Sequence, residues 1–139
     1  MAAGSVGIPT IVYEGGEACR FDPEAIEIGL TGVLGVMHQL EMVSAKDVHI
    51  KRVRKHPSVA QTLFSGSKWV RASRGGLFRS HVQPGQFVTK DQFLGFIADA
   101  FGEGMSTVRA PKAGMVIGLH CNPVVHHGDA VIHLAVDQQ

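Results

Sequence analysis

The apolar residues of the first forty positions follow two periods in succession. Ile8-Pro9-Thr10-Ile11-Val12-Tyr13 is a short, largely β-branched run that stops at Glu14-Gly15-Gly16-Glu17. It reads as a buried strand ending in a tight turn. Asp22-Pro23-Glu24 then supplies a capping carboxylate, a proline for the first helical position and an acid for the first turn. Ile26, Leu30, Val33, Leu34, Met37 and Leu40 recur along one helical face, which predicts a helix from residue 23 to about 42. Gly29, Gly32 and Gly35 lie along it, and each costs up to about 1 kcal/mol relative to alanine in a helix interior. Their presence points to close packing against another element. A strand and an amphipathic helix bury their apolar faces against more sheet of the parallel kind, and the rest of the chain has no such pattern.

Val48, Ile50 and Val53 alternate with polar residues and predict a linking strand, after which His56-Pro57-Ser58 and Ser65-Gly66-Ser67 act as punctuation. Beyond Trp69 the pattern repeats. Val70-Arg71-Ala72-Ser73-Arg74-Gly75-Gly76-Leu77-Phe78 overlays Val108-Arg109-Ala110-Pro111-Lys112-Ala113-Gly114-Met115-Val116. Each copy then reaches a glycine turn, read as Val82-Gln83-Pro84-Gly85-Gln86 in the first and Val125-His126-His127-Gly128-Asp129 in the second. Each closes on an apolar strand, Phe93-Leu94-Gly95-Phe96-Ile97 or Val131-Ile132-His133-Leu134. Short strands with Gly/Pro turns and no helical period predict a compact all-β unit of two halves related by a pseudo-twofold axis.

Composition narrows the function classes. A hydrophobic fraction of 45% and a charged fraction of 18% belong to a chain that buries a core. The net charge of +1 excludes a global field for nucleic acid or anionic lipid. The basic run Lys51-Arg52-Val53-Arg54-Lys55-His56 has no interleaved aromatics to stack bases and reads as a solvated edge. Cys19 and Cys121 are far apart without CxxC spacing, against a disulfide framework or a cysteine-based zinc site and in keeping with a reducing cytoplasm. No signal-peptide pattern and no membrane-span length occur in the sequence.

The β-repeat resembles the barrel-sandwich hybrid of lipoyl and biotinyl domains. Gly85-Gln86-Phe87-Val88-Thr89-Lys90-Asp91-Gln92-Phe93-Leu94 looks like a G-D-x-V-x-x-G-Q-x-L segment, with Asp91 in place of the second glycine. Glu103-Gly104-Met105-Ser106, followed by Ala110-Pro111-Lys112-Ala113-Gly114, echoes a carrier hairpin with Ser106 where the modifiable lysine would stand. A lysine-modified carrier is therefore the weakest of the readings.

Together with the front segment, the chain resembles the C-terminal part of the succinylglutamate desuccinylase/aspartoacylase family of zinc-dependent deacylases. The matching pieces are Gly7 through Glu17, the helix around Gly32-Val33-Leu34-Gly35-Val36-Met37-His38-Gln39-Leu40, and the β-unit from Trp69 to Leu134. The implied fold is α+β, with the terminal strand and helix of an α/β zinc-hydrolase domain over 1–45 and a linking strand and loop over 46–68. A two-copy, lipoyl/biotinyl-like barrel-sandwich hybrid would occupy 69–139. The implied activity is hydrolysis of N-acyl amino acids or related small amides, with the β-unit shaping the active-site entrance. Zinc would be held in the full-length parent by a His-x-x-Glu pair and a later histidine. Those ligands are expected to lie outside this chain, so no cofactor is expected here and the isolated chain should be inactive. Glu14 matches the family's proton-transferring glutamate: a carboxylate beside a metal-bound water can take its proton and pass it to the leaving amine.

Other candidates are weaker. Arg71 and Arg109, at equivalent repeat positions, are either a solvated ladder or a clamp for a substrate carboxylate. Among the eight histidines, His120, His126 and His133 are the candidates for a metal site, since adjacent His126 and His127 point to opposite sides. A non-enzymatic alternative is a β-unit that mediates assembly, including homo-oligomers, through exposed sheet edges.

Overall fold

The computed structural model describes residues 7–44, 46 and 62–137. The chain divides into two compact units, Met1–His56 and Pro57–Gln139. The linking strand expected at Val48 to Val53 and the basic run at 51–56 lie outside the described residues.

The first unit contains helix α1, Pro23–Gln39. Asp22 starts it: its Oδ1 accepts from the amides of Glu24 and Ala25, each at 3.1 Å, satisfying two donors that the helix leaves open. The helix ends near the predicted point by a backbone device. Glu41 takes φ 58°, while Met42 N–H donates to the Met37 carbonyl at 2.9 Å and Glu41 N–H to the His38 carbonyl at 3.0 Å. This is the paired bonding of a Schellman cap, with glutamate where glycine is usual. The strand expected over residues 8–13 does not form: these residues pair with no other segment, and Ile11 and Val12 are 89% and 79% exposed. β-branched sequence favours extended backbone, but a strand exists through its ladder, and the described residues of this unit supply no partner strand. The helix likewise buries none of its residues, and Ile26, Leu30, Val33 and Leu40 on its apolar face stand open.

The second unit is all β. Its strands are β1 Gly66–Arg71, β2 Gly76–Ser80, β3 Phe87–Val88, β4 Phe93–Ala98, β5 Ser106–Arg109, β6 Gly114–Leu119, β7 Val124–Val125 and β8 Ala130–Val136. They form two antiparallel four-stranded sheets, ordered β1-β8-β6-β3 and β5-β4-β2-β7. Replacing β1 to β4 by β5 to β8, and the reverse, converts one order into the other, so the sequence repeat is a structural pseudo-twofold. Each half gives two strands to each sheet, and the halves interlock. The core between them is apolar, with Leu94, Ile97, Val116, Val125, Val131, Ile132 and Leu134 fully buried. Each such side chain contributes about 1.5–3 kcal/mol of transfer free energy.

The symmetry reaches individual residues. In the β4–β5 ladder the register skips Leu94, and in β1–β8 it skips Val131; both bulged residues are completely buried. A Cβ on Gly76 would lie 2.2 Å from the Ala98 carbonyl oxygen, and one on Gly114 would lie 2.2 Å from that of Ala135. These glycines let β2 and β6 approach their neighbours more closely than any side chain permits.

The second half of the repeat aligns differently from the sequence overlay. The counterpart of Val125-His126-His127-Gly128-Asp129 is Val88-Thr89-Lys90-Asp91-Gln92, not Val82 to Gln86. Val88 pairs with Gly114 and Val125 with Gly76. Asp91 at φ 64° takes the conformation of Gly128 at φ 90°. The slip arises because Gly85 makes a glycine turn of its own, while the residue carrying the matching backbone conformation is an aspartate.

Candidate functional site

Glu14 is exposed and follows Tyr13, whose placement is specific. The Tyr13 hydroxyl donates to the Ala25 carbonyl at 2.9 Å, and its ring lies over Gly29, where an added Cβ would come within 2.8 Å of it. Gly29 thus does pack closely, whereas a Cβ added at Gly32 or Gly35 would meet no other element within 4 Å among the described residues. The tyrosine fixes the end of the 8–13 segment against the helix and so sets where the neighbouring carboxylate sits. A cavity of about 170 Å³ beside it is lined by residues including Tyr13, Gly16, Glu17, Arg20 and Asp22. This is below the size of a small-molecule site. Glu17 and Arg20 form an exposed ion pair at 2.5 Å.

Arg71 and Arg109 have matching tasks. Arg71 Nη1 donates to the Gly128 carbonyl at 2.8 Å, and Arg109 Nη1 to the Asp91 carbonyl at 2.9 Å. Around the same turns, Gly128 N–H donates to the Ala72 carbonyl at 2.8 Å and Asp91 N–H to the Ala110 carbonyl at 2.8 Å. Each arginine therefore clips a left-handed turn to the strand that crosses it.

The histidine candidates are not gathered together. His120 N–H donates to the Val131 carbonyl at 2.9 Å. His126 N–H donates to Asp129 Oδ2 at 2.7 Å. His133 stacks on Trp69 across the β1–β8 ladder, with centroids 3.8 Å apart and planes 8° from parallel, and its buried Nε2 has no hydrogen-bond partner among the described residues. Among the described residues no group of three His, Cys, Asp or Glu side chains is placed to hold a metal ion.

One pair with the family's zinc spacing escaped the sequence reading: His38-Gln39-Leu40-Glu41 is a His-x-x-Glu. Its structural setting is the helix C-terminus. His38 Nδ1 donates to the Val43 carbonyl at 3.3 Å, and Glu41 is the left-handed residue of the cap. With no third donor beside it among the described residues, this pair does not make the three-ligand set that catalytic zinc requires.

At the hairpin likened to a carrier, Asp99 Oδ1 accepts from the amides of Phe101 at 3.0 Å and Glu103 at 2.8 Å. Ser106, where a carrier lysine would stand, is the first residue of β5, with its Oγ 2.8 Å from Ser73 Oγ. No helix among the described residues is long and apolar enough to cross a membrane.

No protein-family model and no curated protein matches the chain. Solved structures do match in fold. The succinylglutamate desuccinylase/aspartoacylase from Rhodobacter sphaeroides superposes with a TM-score of 0.63 at 21% identity, covering 86% of this chain and 37% of its own. The apo ectoine utilization protein EutE from Ruegeria pomeroyi gives 0.64 at 19%, covering 84% and 36%. A succinylglutamate desuccinylase from Silicibacter gives 0.63 at 18%, covering 86% and 35%. The chain thus has the fold of part of the succinylglutamate desuccinylase/aspartoacylase proteins, as the sequence resemblance implied. It spans little more than a third of the length of each of these three relatives.

Proposed function

We propose that the chain is the C-terminal portion of a zinc-dependent deacylase of this family, acting on N-acyl amino acids or related small amides. The observation that carries the reading is the fold likeness over 86% of the chain, front segment and β-unit together, to proteins titled succinylglutamate desuccinylase/aspartoacylase and succinylglutamate desuccinylase. The open apolar face of α1 and the unpaired 8–13 segment support it, because both are surfaces that a larger α/β domain would bury. The interlocked halves of the second unit support its reading as a barrel-sandwich hybrid at the site entrance.

The described residues do not fit a catalytic zinc, as the scattered histidines and the capping use of His38 and Glu41 show. The parent's metal would be held by other residues, where it would supply an activated water. Glu14 is this chain's own contribution. Its exposed carboxylate, with no bonded partner among the described residues, is free to accept a proton and release it to a leaving amine.

The test begins with the gene upstream of Met1, where an open frame encoding a His-x-x-Glu and a later histidine is expected. In that longer polypeptide, Glu14→Gln should lower kcat for N-acyl amino acid hydrolysis by about 10²–10⁴-fold with little change in KM. A closed upstream frame, or full activity in the variant, contradicts the proposal.

A further inference from the structure

The pseudo-twofold leaves one corner of the β-unit unlike its counterpart. In the first half, Arg74 Nη1 donates to the Gly104 carbonyl, so a cation in the β1–β2 turn meets a main-chain oxygen. The equivalent residue in the β5–β6 turn is Lys112, which has no hydrogen bond or ion pair among the described residues and lines a groove of about 580 Å³. That volume suits a small organic ligand. Lys90, from the turn that Arg109 clips, lines the same groove and is likewise unpaired among the described residues. Phe64 and Phe87 supply its apolar wall, with ring centroids 6.3 Å apart and planes at 41°, and Phe87 is 57% exposed. Asp137 is the one acid among the described residues that line the groove.

We propose that this groove binds an aryl-alkanoate, a small monocarboxylate carrying an aromatic ring. The ring would lie against Phe64 and Phe87, which offer faces and edges for aromatic packing. The carboxylate would take the place that a carbonyl oxygen takes beside Arg74, accepting from Lys112 and Lys90. Among the described residues, the two ammonium groups against the Asp137 carboxylate leave a single positive charge, which matches a monoanion rather than a dicarboxylate. The site needs no metal and no residue from the first unit.

The experiment titrates 3-phenylpropionate into the full chain, followed by amide chemical shifts and calorimetry. Saturable shifts are expected at Phe87, Lys112 and Gly114, with a Kd of about 1 mM. Lys112→Gln and Lys90→Gln should each weaken binding roughly tenfold without lowering the thermal midpoint, since neither lysine has a bonded partner among the described residues to lose. 3-Phenylpropanol, which lacks the charge, should bind roughly tenfold more weakly, and acetate, which lacks the ring, should give no saturable shift. Absence of saturable shifts with 3-phenylpropionate, or equal affinity for acid and alcohol, overturns the proposal. Unchanged binding in both lysine variants does so as well.

Discussion

Arg109 donates from Nη1 to the carbonyl of Asp91 at 2.9 Å, as Arg71 does to Gly128 at 2.8 Å. The pair of contacts ties both left-handed turns, at φ 64° and 90°, to the strands beside them. An aspartate holds that conformation less readily than glycine does, because its Cβ crowds the following carbonyl. Asp91→Gly should therefore raise the stability of the β-unit by about 0.5–1 kcal/mol, whereas Gly128→Ala should lower it by about 1 kcal/mol. Urea unfolding of the two variants measures both signs, and a destabilising Asp91→Gly would show that the aspartate side chain carries weight of its own.

The arginine clips predict matched losses. Arg71→Met and Arg109→Met keep the apolar stem and remove the donor, so each should cost about 0.5–1.5 kcal/mol. The two costs should agree closely, because the bonded geometry is the same in both halves. Denaturant midpoints test this, and a large cost at one site with none at the other would break the proposed equivalence.

Close approach at Gly76 and Gly114 is the most stringent feature of the sheets. A methyl group at either position meets a backbone carbonyl oxygen at 2.2 Å, and backbone cannot step aside as a flexible side chain can. Gly76→Ala and Gly114→Ala should each cost about 3 kcal/mol or more, visible as a large fall in thermal midpoint or loss of cooperative unfolding. A cost below about 0.5 kcal/mol, the range of ordinary surface changes, would contradict the close approach of β2 and β6 to their neighbouring strands.

His133 gives a prediction of opposite direction. Its ring stacks on Trp69, but its buried Nε2 meets no partner among the described residues, and an unpaired buried polar atom costs about 1–3 kcal/mol. His133→Phe keeps the stacked ring and removes that atom, so stability should hold or rise by up to about 2 kcal/mol. A loss above 1 kcal/mol in chemical denaturation would reveal a hydrogen bond beyond the described residues.

Local patterns in the sequence revealed what depends on local physics. Asp22-Pro23-Glu24 and the spaced Ile26, Leu30 and Val33 announce α1 at its true start, since capping and helical period are both local. The repeat from Val70 and Val108 was legible because each half must present the same apolar face to one core. What escaped was non-local. Residues 8–13 have strand composition but no partner strand among the described residues, and the turn at Asp91 hides its kinship with Gly128 because an aspartate does a glycine's work. The groove at Lys112 becomes visible only when its corner is compared with the one that Arg74 fills. In the candidate site, Glu14 came from resemblance alone; its anchoring by Tyr13 depends on a contact with Gly29 that no spacing rule contains. The His38 and Glu41 pair shows the converse, a motif with the right spacing used to finish a helix.

Zinc titration of the chain as it stands, by calorimetry and with an N-acyl amino acid hydrolysis assay on the same samples, tests whether the catalytic metal is held by residues other than these. If the β-unit and Glu14 serve a metal held by other residues, zinc should bind no tighter than a scattered surface histidine allows, with Kd above about 100 μM, and no hydrolysis should appear. One equivalent of tightly bound zinc together with zinc-dependent turnover would contradict the account, and would place a complete catalytic centre within this chain.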